Sequence, residues 1–163
     1  MTDLGEYALK GMMKRKMLVE LDHQSVKAAD RTLDLLEEAA YPGVISSHSW
    51  MDPTHTERVY KLGGFIIQYG HDAGRFVTEA GTDRGLREKY GKGYGMGMDV
   101  NGFGGTPRPP KDGDPKVSYP FKASDGGSST LDKQVTGQRT WDYNTDGVAH
   151  YGMVPDWVED MRS

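Results

Sequence analysis

Two runs decide how this chain folds: Met17-Leu18-Val19-Glu20-Leu21-Asp22-His23 and Gly43-Val44-Ile45-Ser46-Ser47-His48-Ser49. Each is a short apolar stretch with the character of a buried strand, and each delivers a histidine at its C-terminal end. Between them Ser25 stands where an N-cap belongs, and Val26, Ala29, Leu33, Leu36 and Ala40 form a helical stripe. Strand, helix, strand at this spacing is the sequence form of a βαβ unit. Its two strands run parallel, so both imidazoles are expected at one edge of the sheet, facing one cleft.

The same alternation extends in both directions. Thr2 is placed to cap a helix running to about Lys14, directly ahead of the first strand. Asp52-Pro53 is a strong helix start, Gly63-Gly64 a stop, and Phe65 to Tyr69 a third strand with His71 just beyond it. A weaker helix is predicted over Asp83 to Tyr90, then a glycine-rich fourth strand from Tyr94 to Met98 that ends at Asp99. From Asn101 to about Thr130 glycine, proline and serine dominate, which predicts a long loop that is functional or mobile. Trp141 to Gly152 and a short helix at about 155–161 close the chain. The order is α/β with a parallel sheet, in a single domain over residues 1–163. In such folds ligands sit beyond the C-terminal strand ends, and His23, His48, His71 and Asp99 all fall there.

Composition narrows the chemistry. The 163 residues are enough for one domain with a core, and too few for a complete eight-fold β/α barrel of roughly 250 residues. The net charge of -4 and the lack of any long basic run give no sign of a nucleic-acid partner. There is no cysteine, which excludes disulfides, thiolate metal sites and cysteine nucleophiles. Histidines and carboxylates must do any metal binding. No segment has the apolar length of a membrane span or a signal-peptide core, so a cytoplasmic protein without membrane contact is the default expectation.

At the histidine-bearing strand ends the sequence resembles the membrane (renal-type) dipeptidase family of the metal-dependent amidohydrolase superfamily. The matching segments are Leu21-Asp22-His23-Gln24-Ser25-Val26 and Pro42-Gly43-Val44-Ile45-Ser46-Ser47-His48-Ser49. A third is Gly95-Met96-Gly97-Met98-Asp99-Val100-Asn101-Gly102, with Pro107-Arg108-Pro109-Pro110 behind it. Order and spacing agree from about Thr2 to about Pro120, while the tail at Trp141 to Gly147 looks more like a bacterial branch of dipeptidase-like proteins. The resemblance implies a β/α barrel with a two-zinc site that hydrolyses dipeptides. It implies that His23 and His48 are metal ligands at the fifth and sixth strand ends. Asp99 corresponds to the acidic residue after the last strand, which moves protons and binds the substrate amine.

The departures shape the expectation further. The family's first-strand His-x-Asp pair, its bridging glutamate and its carboxylate-gripping Arg-Asn pair have no counterpart here, and its second late carboxylate is Asn101. What is expected is half of a (β/α)8 barrel, about four β/α units, completed by homodimerisation across two raw sheet edges. The cofactor implied is a divalent metal, zinc first and manganese second. The activity implied is hydrolysis of an amide, ester or phosphoester in a small-molecule substrate, phosphotriesters included, by a metal-activated water. True dipeptidase activity is doubtful without the substrate-gripping pair. The alternative is a non-catalytic remnant, a structural or binding module with a hydrogen-bonded pair of histidines.

The remaining candidates weigh less. Asp22 neighbours His23 and is expected to point away from the mouth, with a swing inward open to it at a strand end. His71 and His150 are possible additional site residues, and His55, in a helix's first turn, reads as surface. Asp142, Asn144 and Asp146 fit the opening of a calcium loop, but Met153 stands where the bidentate glutamate belongs, so Asx turns are the preferred reading. The glycines from Gly91 to Gly97 enter a strand rather than leave one for a helix, which argues against a nucleotide loop.

Overall fold

The computed structural model describes residues 1–100 and 106–163. Asn101 and the opening of the predicted long loop lie outside the described residues. Four strands, β1 (Val19–Glu20), β2 (Val44–Ser46), β3 (Phe65–Tyr69) and β4 (Gly95–Gly97), form one parallel sheet in consecutive order. The register sets Val19 beside Val44, Ile45 beside Phe65, and Ile67 beside Gly95. The protein is thus mixed α/β with a parallel sheet, as the alternation of elements predicts. No described helix is long and apolar enough to cross a membrane.

The helices start and stop where local chemistry dictates. Helix α1 (Asp3–Lys14) begins at Thr2, whose hydroxyl accepts the Gly5 N–H, and α2 (Val26–Glu38) begins at Ser25, whose hydroxyl accepts the Ala28 N–H. Asp52 caps a 3-10 turn, Pro53–His55, that leads into α3 (Thr56–Leu62). Gly63 ends α3 with φ 97°, a left-handed value that glycine takes without strain.

The chain divides into two compact units, Met1–Tyr69 with Ala80–Gly97, and Gly70–Glu79 with Met98–Ser163. The first unit holds the sheet. One face of that sheet is sealed by helices: Val19, Leu21 and Val44 join Leu33 and Leu36 of α2 and Val59 and Tyr60 of α3 in a single apolar cluster. The outer side of α2 is acidic, and Arg58 of α3 bridges Asp34 and Glu37 there at 2.7 and 2.8 Å. The Glu37 hydrogen bond, ahead of the opposing effect of burial, holds the Arg58 guanidinium firmly protonated.

Two expectations need correction. The segment after β3 contains a helix, α4 (Ala73–Thr82), where none was expected. Gly74 and Gly81 weaken its helical signal, but Asp72 supplies a cap by accepting the Arg75 N–H at 2.9 Å, and Ala73 and Phe76 are buried. His55 is buried rather than surface, at 2% exposure. The 3-10 turn folds it against α2, where Asp30 Oδ1 lies 2.9 Å from its Nε2. The predicted helix at Asp83 to Tyr90 is present as α5 (Arg84–Lys89).

The second unit is built on few regular elements. Two minimal antiparallel ladders, β5 (Phe121–Lys122) with β6 (Thr130–Leu131) and β7 (Val135–Thr136) with β8 (Arg139–Thr140), precede α6 (Tyr143–Asp146) and α7 (Val154–Asp160). Side chains take over the work of backbone ladders. Asn144 binds both the N–H and the carbonyl of Val117, and Trp157 donates its indole N–H to the His71 carbonyl at 2.9 Å while meeting Phe76 edge-on. Tyr143, fully buried, donates to Asp160 Oδ2 at 2.8 Å.

Asp160 gives this unit a measurable pH signature. Burial raises its pKa; the Tyr143 hydrogen bond works against that, and nearby Asp114 and Asp72 add to the rise. A carboxyl whose folded pKa is raised binds its proton more tightly in the folded state. Its contribution is full below the unfolded pKa and is lost as pH climbs through the folded one. Asp160→Asn keeps an acceptor for Tyr143 and removes the charge. The variant is expected to melt higher than the parent at pH 7 and to match it at acid pH, below the unfolded carboxylate range. Thermal unfolding as a function of pH checks this, and parallel curves without convergence would rule it out.

Candidate metal centre

The first unit brings His23 and His48 together. The chain leaves β1 through Leu21, whose amide still pairs with the Ile45 carbonyl at 3.0 Å, and then turns at Asp22 and His23. The His23 amide in turn binds the Trp50 carbonyl at 3.1 Å, which stitches the end of β1 to the segment after β2. Ser49 Oγ accepts the Tyr69 N–H at 3.1 Å and ties the same segment to β3. His23 and Ser49 hold left-handed backbone, with φ 63° and 53°, and Asp99, just after β4, has φ 51°. Each such non-glycine residue costs on the order of 1 kcal/mol.

The two imidazoles meet through Nε2, 2.9 Å apart, with ring centroids 4.9 Å apart. His48 is 9% exposed, whereas His23 is open to solvent beside the Trp50 ring, 5.8 Å away and itself 59% exposed. Asp22 lies behind His48. Its side chain is wholly buried; Oδ1 accepts Ser46 Oγ–H at 2.6 Å and Oδ2 accepts the His48 N–H at 2.8 Å. Oδ2 also lies 3.1 Å from His48 Nδ1. The hydrogen bond of Nδ1 is to Ser47 Oγ at 3.0 Å, and an Nδ1–H donated there leaves the Nε2 lone pair of His48 facing His23.

Glu20 is a contributor that sequence reasoning missed. Its Oε1 accepts the N–H of Asp22 at 3.0 Å and that of Ser47 at 3.2 Å, so one carboxylate oxygen fixes the backbone on both strands just ahead of the histidines. Glu20 and Asp22 alternate along β1 and its extension, which is the only hint the sequence offers.

The donor set fits a divalent cation. Two imidazole Nε2 atoms meet on one side, and the Nδ1 of one is held by Ser47 Oγ beside a buried carboxylate, as metal-binding histidines usually are. A tetrahedral ion about 2.05 Å from each nitrogen sets them about 3.3 Å apart, so a slight rotation of either ring suffices. Among the described residues no group of three or more His, Asp or Glu side chains is arranged to hold an ion. The chain's described donors at this centre are therefore the two histidines.

The other predicted site residues are not brought to the pair within its unit. Asp99, His71 and His150 belong to the second unit. Asp99 is exposed. His71 is partly buried, and burial, followed by the nearby Arg75, lowers its pKa and favours the neutral ring. His150 caps a turn, its Nδ1 accepting the Gly152 N–H at 3.2 Å. The side chains proposed for calcium have hydrogen-bond partners. Asp142 makes the Asx turn onto Asn144 N and pairs with Lys133, Asn144 holds Val117, and Asp146 pairs with Arg139.

Comparison with protein-family models, with curated proteins and with solved structures found no match in any of the three.

Proposed function

We propose that the chain is a metal-dependent hydrolase in which His23 and His48 hold a divalent cation, zinc or manganese. The observation that carries this reading is the meeting of their Nε2 atoms at 2.9 Å while His48 Nδ1 is engaged by Ser47 Oγ at 3.0 Å, with Asp22 Oδ2 3.1 Å away. When bound, the cation supplies Lewis acidity, lowering the pKa of water toward neutrality and polarising the substrate oxygen. Ser47 Oγ, itself turned toward Asp22, keeps His48 in the tautomer whose Nε2 can donate a lone pair. Glu20 fixes the backbone that carries both. Trp50 gives the opening an apolar side; a proton-transfer role for Asp99, which belongs to the other unit, rests on the resemblance alone.

The resemblance to the dipeptidases supports the chemistry, and the missing Arg-Asn pair directs it away from dipeptides. Amides, esters and phosphoesters without a required carboxylate, phosphotriesters among them, are the substrate class. The consecutive parallel strands, with β1 and β4 at the two edges, support a half barrel closed by a second copy. Exposed Met17 and Leu18 beside β1 and Met96 on β4 supply apolar contact for that closure.

A second reading has its own support. The same 2.9 Å spacing closes as a hydrogen bond, with His23 Nε2–H donating to His48 Nε2, in a structural module without metal. Metal analysis separates the two. The hydrolase reading expects about one zinc or manganese per chain, or per pair of chains, and esterase or phosphotriesterase activity lost on chelation and restored by the metal. His23→Ala and His48→Ala are expected to lose both metal and activity. Metal content far below stoichiometry in folded protein, with activity unchanged in both variants, would favour the structural module.

A further inference from the structure

Trp50 follows β2 on a backbone that its neighbours hold in place. Its carbonyl accepts the His23 N–H at 3.1 Å, Ser49 Oγ accepts the Tyr69 N–H at 3.1 Å, and Met51 packs against the apolar cluster of the sheet unit. The indole itself stays 59% exposed, its ring 5.8 Å from the His23 imidazole at an interplanar angle of 34°. A fixed segment thus presents an open aromatic ring directly beside one of the two proposed ligands.

The surroundings decide what such a ring can receive. Tyr69 flanks the other imidazole, with its ring centroid 6.3 Å from that of His48, so Trp50, His23, His48 and Tyr69 form a contiguous series of rings. Two carboxylates support the series from the backbone side: Asp22 against His48, and Glu20 on the amides of Asp22 and Ser47. Among the described residues no lysine or arginine makes a hydrogen bond or ion pair with Glu20, Asp22, His23 or His48. Two carboxylate charges in this position offset the two of a bound divalent cation, and no cationic fork is at hand to grip an anionic substrate. An indole face, by contrast, takes a planar ring by stacking, which is worth about two- to tenfold in affinity beyond the area covered.

We propose that Trp50 sets the substrate class of this centre: an uncharged ester or amide that carries an aromatic ring one or two atoms from the scissile bond. The ring stacks on the exposed indole while the carbonyl faces His23 and His48. This rests on the metal-hydrolase reading above and narrows it. Trp50 acts as a specificity-determining residue; it holds the ring and moves no proton.

The test pairs an activity ratio with a binding measurement. Zinc-loaded full chain is assayed on benzyl acetate and cyclohexylmethyl acetate, esters of similar size whose leaving alcohols differ in flatness more than in reactivity. Trp50→Leu keeps apolar bulk without the aromatic face, at an exposed position where the fold tolerates it. It is expected to lower kcat/KM for the benzyl ester about fivefold more than for the cyclohexylmethyl ester, whereas Trp50→Phe keeps most of the parent's preference. In parallel, ¹⁵N-labelled chain with and without zinc is titrated with benzyl alcohol and with cyclohexylmethanol, followed by NMR. Benzyl alcohol is expected to shift the Trp50 indole signal saturably, that signal being assigned by its loss in Trp50→Leu, and cyclohexylmethanol to shift it less. The Trp157 indole, held by the His71 carbonyl, stays in place. A benzyl preference unchanged in Trp50→Leu overturns the inference while the hydrolase reading stands. If neither ester is cleaved, the hydrolase reading falls and the titration decides: a saturable shift supports Trp50 as the aryl-binding residue, and none up to about 50 mM benzyl alcohol overturns it.

Discussion

Asp22→Ala is expected to destabilise the protein by about 3–5 kcal/mol and to abolish metal retention. The carboxylate accepts from Ser46 Oγ, His48 N and, at 3.5 Å, Ser47 Oγ inside a fully buried environment. Removing it strands three donors, each worth roughly 1–3 kcal/mol when unsatisfied, and water entering the vacated space recovers part of the loss. Asp22→Asn separates the two effects. It preserves volume but offers one oxygen and one NH2 to three donors, so one of them faces another donor. The asparagine variant is expected to lose less stability than alanine while still loosening His48. Urea unfolding with its m-value, run beside metal analysis, reads both quantities. A loss under about 1 kcal/mol for the alanine variant would mean that the carboxylate does not hold the strand ends together.

Gly97→Ala carries the second large effect. A Cβ at Gly97 would stand 2.2 Å from the Ser47 carbonyl oxygen and 3.1 Å from Ile67 Cγ2. The first is a backbone atom and cannot swing aside, so β4 must move from its place or Ser47 must be pushed. Ser47 precedes His48, donates its own N–H to Glu20 and its hydroxyl to Asp22, and bonds His48 Nδ1 through Oγ. Overpacking of this kind costs about 2–4 kcal/mol. Metal affinity is expected to fall along with stability, because the displaced backbone carries His48, a ligand in the proposed centre. Gly85→Ala is the matched control: it sits in exposed helix α5 with nothing within 4 Å of the new methyl. Helix propensity then gives about 0.5–1 kcal/mol of added stability. Chemical denaturation of the two variants should therefore move in opposite directions. An alanine at position 97 that left the unfolding midpoint unchanged would refute the close approach.

What the sequence made legible follows physical range. Caps at Thr2, Ser25 and Asp52 and the stop at Gly63 are local events, decided within one turn, and they were readable. So was the meeting of His23 and His48, because parallel neighbouring strands must end on the same side. Helix α4 was not, since two glycines dilute its signal and its support comes from the tertiary burial of Phe76. His55 was misread because a 3-10 turn has no stripe by which to tell its inner side. Asp22 was expected to point away from the mouth, and by doing so it serves His48 from behind. Glu20 stayed invisible because the amides it joins lie on two strands and are aligned only by register. The ladders of the second unit, two residues a side, are shorter than any periodicity can reveal.

The left-handed backbone at His23, Ser49 and Asp99 bears on how the protein would behave under laboratory selection. Glycine or asparagine relieves such a conformation more fully than the residues now there. A screen that rewards heat resistance alone would therefore favour exchanging His23, the proposed metal ligand, and Asp99 for residues without their chemistry. Hardening the scaffold and keeping its catalyst would pull on the same positions in opposite senses, so an engineered stable form should take its gains elsewhere, with these three strand exits left untouched.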